Sequence, residues 1–586
     1  MSATLPVWSP ARTSTEGSDR RPLVFVLVLL VLCGVLFCWR LGVTPLEDFD
    51  EAYYAAGARE MLARADLLTP YYNGEPFLLK PILIYWLIAA GFSAFGVTEF
   101  AARVGSAFLG TLVVLVTYWF GARTLGPRAG FLAGLALALS YMWIDIARDA
   151  SIDIPLTAAL APALFLFFAA TQARPEKRRR LYLASYPLLG LALLAKGPVP
   201  TGVVLVGLVA FLLCARRLRA TLAEAQLLPG IALALAVAAP WYIYEAVHEP
   251  EFVRIFFLRE HFGHLQGELA RDEPWWAHLK NLLVYFLPWA ALLPAAVIKA
   301  FRERDREHVL RFAAWWLLAV VALFSFAGAK LAHYLAPAFP AAALLVGAWL
   351  DAWLQRRAVS GTGIAIAFVL LTLAGLACLA GGQIAAVNPR WLQDTIGERY
   401  GEWTPGGWPI VMLAALGAGF LGAVGAAVWE RRGAAVALLA TAMLVAGLAH
   451  VGWFKPHLAQ IQAQPRKELA QFASVALPEA EPLGVYYAKR NSTIFYARRP
   501  IADLGEREDE FEGVVEFLSS PTPAAVLTHE KFVAGLMARA PEIQVWTRRG
   551  HYVLVANHGL GRIWQPPAGG RAETAGPRDP PEVHSR

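Results

Sequence analysis

Thirteen apolar runs of roughly 15–22 residues recur along the chain, and their number restricts the fold more than any other feature. They lie near 23–39, 101–122, 129–147, 154–172, 181–195, 199–214, 229–246, 281–298, 312–328, 335–353, 361–380, 408–428 and 434–453, with a shorter one at 82–96. About 20 apolar residues cross a bilayer as a helix. Of the 586 residues only 17% are charged and 57% are hydrophobic, whereas a soluble domain carries about 25% charged residues. The expected fold class is an all-α polytopic membrane protein. The four cysteines, Cys33, Cys38, Cys214 and Cys378, all sit inside apolar runs, which argues against a disulfide framework or a CxxC metal site. Polar, Arg-containing residues precede the first run and no small-residue cleavage site follows it, so that run reads as a retained anchor.

Charge sets the number of crossings. Basic clusters occur at Arg20-Arg21, Arg123/Arg128, Arg174 to Arg180, Arg216/Arg217/Arg219, Lys299 to Arg311, Arg356-Arg357 and Arg431-Arg432. Positive charge in short loops marks the cytoplasmic side. If 82–96 lies in the interface, all seven clusters share the side of the N-terminus; if it crosses, they are split. The expectation is therefore 13 spans, an inside N-terminus and an outside C-terminus. Residues 1–22 are expected to be a disordered cytoplasmic end and 23–456 the membrane domain. A small outer α/β domain is expected over 457–560, with a disordered tail at 561–586. In that domain LGVYYA, STIFYARR, AAVLTHE and IQVWTRRGHYVLVAN read as strands, and ELAQFASVAL and FVAGLMARA as helices.

With this topology the ionisable residues gather on the outer side. The first outer loop holds Glu47, Asp48, Asp50, Glu51, Arg59, Glu60 and Lys80. The next holds Asp145, Arg148, Asp149 and Asp153, and later ones hold Lys196, Arg259, His261, His264, Lys330, His333 and Tyr334. A transporter would scatter such groups through the membrane depth; here they collect at one face, as in an enzyme working at the surface. Plainer roles exist for each. An aspartate before AYYAAGAREML fits a helix N-cap, and Asp153 before IPLTAALAP fits the cap of the fourth span. Lys80 and Lys196 fit lysines that snorkel to the interface. Asp48-Phe49-Asp50 has the DxD spacing of metal-dependent nucleotide-sugar transferases, but nucleotide sugars are cytosolic. No cofactor is certain, and a divalent metal stays open. His261 and His264 match no zinc spacing.

A sugar donor outside the cytoplasm must arrive on a lipid. Displacing a polyprenyl phosphate from an anomeric carbon requires cations to hold the leaving phosphate and one carboxylate to take the acceptor's proton. Acids beside Lys and Arg supply both.

The stretch DEAYYAAGAREMLARADLLTPYYNGEPFLLKPILIYWLIAAGFSAFGVTEFAARVGS resembles the first outer loop of the GT-C membrane glycosyltransferases. ASIDIP, AKGP, FLREHFGH, PWWAHL and AKLAHYLAPAFPA follow in the order found in the lipid A aminoarabinose transferases and the related protein O-mannosyltransferase-like proteins. The resemblance covers the membrane region and, more loosely, the outer domain. It implies an inverting transfer from a polyprenyl-phosphate sugar on the periplasmic face of a bacterial inner membrane. Its partners would be that donor, a lipid or protein acceptor and membrane lipids, and not nucleic acid. By motif position it implies Asp50 as the catalytic aspartate, Lys80 on the lipid phosphate, Asp153 as the second-loop acid, and Arg259 and Tyr334 at the donor. Asp48, Glu51, Arg59, Lys196, Lys330 and His264 are further candidates. Three positions depart from the branch: Tyr53 stands where it has arginine, Phe77-Leu78-Leu79-Lys80-Pro81 replaces YFEKP, and His264 replaces arginine. The sugar is therefore open among aminoarabinose, mannose, galactosamine and others. A protein O-glycosyltransferase and a polyprenyl-lipid flippase are the alternative functions.

Overall fold

A computed structural model describes residues 21–48, 50–263, 274–302, 308–326, 330–357, 359–388, 407–478 and 480–557. Residues 1–20, 561–586 and His264 lie outside these residues, while Arg21 and Pro22, expected in the disordered end, open the helix Arg21–Cys33. The chain forms two compact units, 1–464 and 465–586.

Among its described residues the first unit is helical, apart from a two-stranded hairpin that pairs Tyr71–Tyr72 with Glu75–Pro76. Among the described residues nine helices are long and apolar enough to cross a membrane. Two bent pairs, Pro198–Cys214 with Leu218–Glu224 and Ala277–Tyr285 with Trp289–Arg302, raise the count to eleven. The other two expected spans are also helical. Pro175–Lys196 opens with a charged turn that lowers its apolarity. Pro127–Ala138 is only 12 residues long, and the expected run to 147 is broken at Leu139-Ser140 before a separate short helix, Tyr141–Ile146. Small residues bury that short segment. A Cβ on Gly130 would come within 2.4 Å of Ala122 N, and one on Gly347 within 2.6 Å of Ala129 O, so neighbouring backbones cross almost in contact. The helix Leu83–Phe95 has 13 residues, about 20 Å at 1.5 Å rise per residue, too short for a ~30 Å hydrocarbon core.

Charge separates along the helices. Glu99–Thr124 begins near Arg103 and ends at Arg123; Asp153–Gln172 begins at an acid and leads into the basic run 174–180. At the basic ends the clusters meet through shared partners. Arg128 lies 3.5 Å from Asp351, Arg432 donates to Trp353 O at 2.7 Å, Arg356 lies 3.0 Å from Glu430, and Arg178 lies 2.6 Å from Glu224.

The second unit holds a five-stranded mixed sheet. Its order is Ile501–Asp503, Leu483–Val485, Ala525–His529, Tyr552–Ala556 and Gln544–Arg549. The first three strands are parallel and the last two antiparallel. Tyr486, Val514, Val526, Leu536, Val553 and Val555 form its core. One expected strand is corrected: STIFYARR lies in the helix Arg490–Ala497. Thr493 donates to Lys489 O at 2.8 Å in its first turn, and Arg498 ends it in the left-handed region. A short apolar run fits a buried strand and a buried helix turn equally well; the parallel pairing of its flanking strands needs a crossover helix here.

Candidate active site

The acid-rich stretch after the first membrane helix divides by role. Asp50 opens the helix Asp50–Arg64 and is exposed, and Asp48 is half-buried just before it. Glu51 is buried and fully engaged. Arg103 Nε and Nη2 donate to its two oxygens, each at 2.6 Å, and the amides of Glu47 and Ala150 add bonds of 2.8 and 3.1 Å. The rest of the guanidinium caps the carbonyls of Leu41, Thr44 and Pro45. Burial alone would raise the Glu51 carboxyl; Arg103 overrides it and holds the group below its ordinary value. A buried pair is tolerable only when its remaining hydrogen bonds are filled, and here they are. Glu51 is thus a fastener between the first loop, the helix Glu99–Thr124 and the loop before Asp153, which corrects its place among the chemical candidates. Glu51→Gln leaves an amide facing a buried guanidinium and should cost about 1–3 kcal/mol of stability. Thermal unfolding in detergent reads this, and an unchanged midpoint would contradict it.

Arg59 is largely buried, 3.9 Å from Glu60, and Glu60 accepts from the amides of Asn73 and Gly74 in the hairpin turn. That pair shapes the hairpin. Tyr53 packs edge-on against Tyr72 and Phe77, with ring centroids 4.2 Å away in each case.

Asp153 is buried, 1% exposed, beneath the outer end of its helix. Lys196 Nζ lies 2.6 Å from Oδ1; Ser151 Oγ and His333 Nε2 lie 3.3 and 3.8 Å from Oδ2. Ser151 Oγ, not the Asp153 side chain, accepts from the Asp153 amide, so the expected cap belongs to Ser151. The enclosed Asp153 carboxylate is occupied by an ammonium at 2.6 Å. It fixes Lys196, whose Nζ sits 4.5 Å from the Tyr334 ring centroid. Lys80 Nζ meets Glu260 Oε2 at 2.6 Å, while the adjoining Arg259 is exposed. Lys330 is half-buried just before the turn bearing His333 and Tyr334. The charges of Lys80, Asp153, Asp50 and Glu260 all act on the Tyr334 phenol, and those of Asp50 and Asp153 act on Tyr54. The two loops, the Lys80 segment and the Tyr334 turn therefore converge. Sequence reading missed Glu260 and Lys455; the latter lies 2.9 Å from both Asp145 and Asp149.

Among the described residues no group of three or more His, Cys, Asp or Glu side chains is arranged to hold a metal ion. Their clustered carboxylates already have cations of their own: Arg103, Lys196 and Lys455.

Residues 79–244 match the family model described as dolichyl-phosphate-mannose-protein mannosyltransferase. An uncharacterized protein of Aquifex aeolicus is 31% identical over 60% of this chain and 69% of its own length. The undecaprenyl phosphate-alpha-4-amino-4-deoxy-L-arabinose arabinosyl transferase of Pseudomonas aeruginosa (strain LESB58) is 32% identical over 60% of this chain. The chain spans about 65% of that enzyme's length. The crystal structure of ArnT from Cupriavidus metallidurans bound to undecaprenyl phosphate superposes with a TM-score of 0.76 at 24% identity, covering 96% of this chain and 100% of that one. The fold is that of a multi-pass membrane glycosyltransferase. In sequence the chain is similar to the aminoarabinosyl transferases and, over residues 79–244, to the protein mannosyltransferase family model.

Proposed function

We propose that the protein is an inverting glycosyltransferase that moves a sugar from a polyprenyl (undecaprenyl) phosphate to a lipid A-like acceptor at the periplasmic face of a bacterial inner membrane. The observation carrying this reading is the convergence of an exposed carboxylate, Asp50, with the Lys80 ammonium and the Asp153–Lys196–Tyr334 group at the acid end of the helices. Asp50 takes the proton of the acceptor hydroxyl as that oxygen attacks the anomeric carbon. Lys80 holds the leaving phosphate, whose charge grows as the glycosidic bond breaks. Arg259 and Tyr334 stand by the donor, and Asp153 positions Lys196. The leaving phosphate is a weak base and needs no general acid.

In the described structure Lys80 is held by Glu260, so the donor phosphate must compete with a carboxylate for the same ammonium. Glu260→Gln weakens that competitor. The expected result is a several-fold lower KM for donor with kcat little changed; a raised KM would mean that Glu260 binds donor instead.

The match to the protein mannosyltransferase model supports a second acceptor class, a protein hydroxyl, with the same residues in the same roles. Sugar released from labelled donor in membranes of wild type and Asp50→Asn, with lipid A or a Ser/Thr peptide as acceptor, separates the two. Orientation is checked by reporter fusions. Fusions after residues 177 and 304 should report cytoplasm and one near 560 periplasm, following the basic clusters. A cytoplasmic signal near 560 would put the acids on the wrong side for this chemistry.

A further inference from the structure

A second charge cluster, which the transfer chemistry does not use, adjoins the site. Lys455 Nζ lies 2.9 Å from Asp145 Oδ1, 2.9 Å from Asp149 Oδ1 and 3.3 Å from Glu47 Oε1. His450 Nε2 lies 3.4 Å from Asp145 Oδ1. The lysine side chain is only 17% exposed. Arg148, the other nearby cation, is directed elsewhere: its Nη1 donates to the carbonyls of Leu36 and Trp39 at 3.0 and 2.9 Å. The Asp145 and Asp149 side chains are both half-buried, and desolvation works against the charged form of Asp149 while Lys455 pulls the other way. Three acids packed together repel one another, so their juxtaposition depends on the ammonium at their centre.

The position of those acids on the chain gives the cluster its meaning. Glu47 stands three residues before Asp50 on the first outer loop, and Asp149 four residues before Asp153 on the next. One lysine, from a segment more than 300 residues later, grips both loops that present the site's carboxylates. Among the described residues the Ala150 amide on Glu51 Oε1, at 3.1 Å, is a second polar link between the loops. A displacement of about 1 Å at a reacting group can cost about 10²-fold in rate. We propose that Lys455 is a positioning residue for the transfer reaction, a tethered cation that holds the Asp50 loop and the Asp153 loop in register. This rests on the glycosyl-transfer reading above.

The test compares purified full-length wild type, Lys455→Met and Lys455→Arg. Met keeps the length and volume of the side chain and removes the charge. With polyprenyl-phosphate sugar as donor, Lys455→Met should lose at least ~10-fold in kcat while the donor KM stays within about two-fold, because Lys80 is untouched. Lys455→Arg should recover most of the rate. A lower unfolding midpoint with kcat retained would reduce Lys455 to a structural contact, and a raised KM with kcat retained would assign it to the donor; either overturns the proposal. Hydrogen exchange of peptides covering 41–60 and 141–156 is read on the same samples without substrate. Both should exchange faster in Lys455→Met, and a change in neither or in only one overturns the proposal even if wild type transfers no sugar, which would itself sink the functional reading. Should Lys455→Met fail to fold, Glu47→Gln and Asp149→Asn loosen the loops one at a time. Each should lower kcat with KM unchanged, and wild-type kcat in both would be fatal to the idea.

Discussion

Asp50→Asn should lower turnover by roughly 10²-fold or more, the usual contribution of a positioned base, while expression and thermal unfolding stay near wild type. The reason is local. Asp50 is exposed at the first residue of its helix, whereas the adjoining Glu51 carries the buried ion pair that holds the loop together. Asn keeps the shape of the side chain and an oxygen able to cap the helix, so capping survives and basicity does not. A capping role gives the reverse pattern: Asn tolerated, and Ala costing about 1 kcal/mol of stability with activity intact. Asn and Ala at position 50, compared in one assay, therefore separate chemistry from capping. An active Asp50→Asn protein would shift the base to Asp48 or Asp153.

Lys80→Ala should cost roughly 10²–10³-fold in rate, the scale on which losing one contact to developing charge is felt in other active sites. The loss should fall on kcat more than on KM if the lysine matters most as the phosphate departs. Lys80→Ala also leaves the Glu260 carboxylate near the phosphate without its Lys80 partner. The double variant Lys80→Ala/Glu260→Gln should therefore regain part of the lost activity. Near wild-type turnover of Lys80→Ala at both saturating and limiting donor would retire Lys80 from the mechanism.

Helical spans and the pairing of the basic loops were legible in the sequence. The basic clusters sort to one end of the helices because charge is costly to bury and loops are short, and their pairings in the structure follow that order. The convergence of Asp50, Lys80, Asp153, Lys196 and Tyr334 follows from placing every acidic loop at one face. Pairings between distant segments were not legible. Glu260 is 180 residues from Lys80 and Lys455 is 306 from Asp149, and no local pattern announces either. The same ignorance of partners made Glu51 look chemical and Asp153 look like a cap. Span 129–147 was misjudged because hydropathy does not register the break at Leu139-Ser140, and STIFYARR because eight residues do not distinguish period 2 from 3.6.

The central claim is that this chain cleaves a sugar from a polyprenyl phosphate on the side where Asp50 and Lys80 lie. The most direct measurement reconstitutes the purified protein in liposomes with a polyprenyl-phosphate sugar and follows free polyprenyl phosphate by mass spectrometry, with and without acceptor. Wild type should release polyprenyl phosphate only when an acceptor hydroxyl is present, in step with an anomerically inverted product, and Asp50→Asn should release almost none. Movement of intact donor between leaflets without loss of its sugar, or equal release by wild type and Asp50→Asn, would contradict the account.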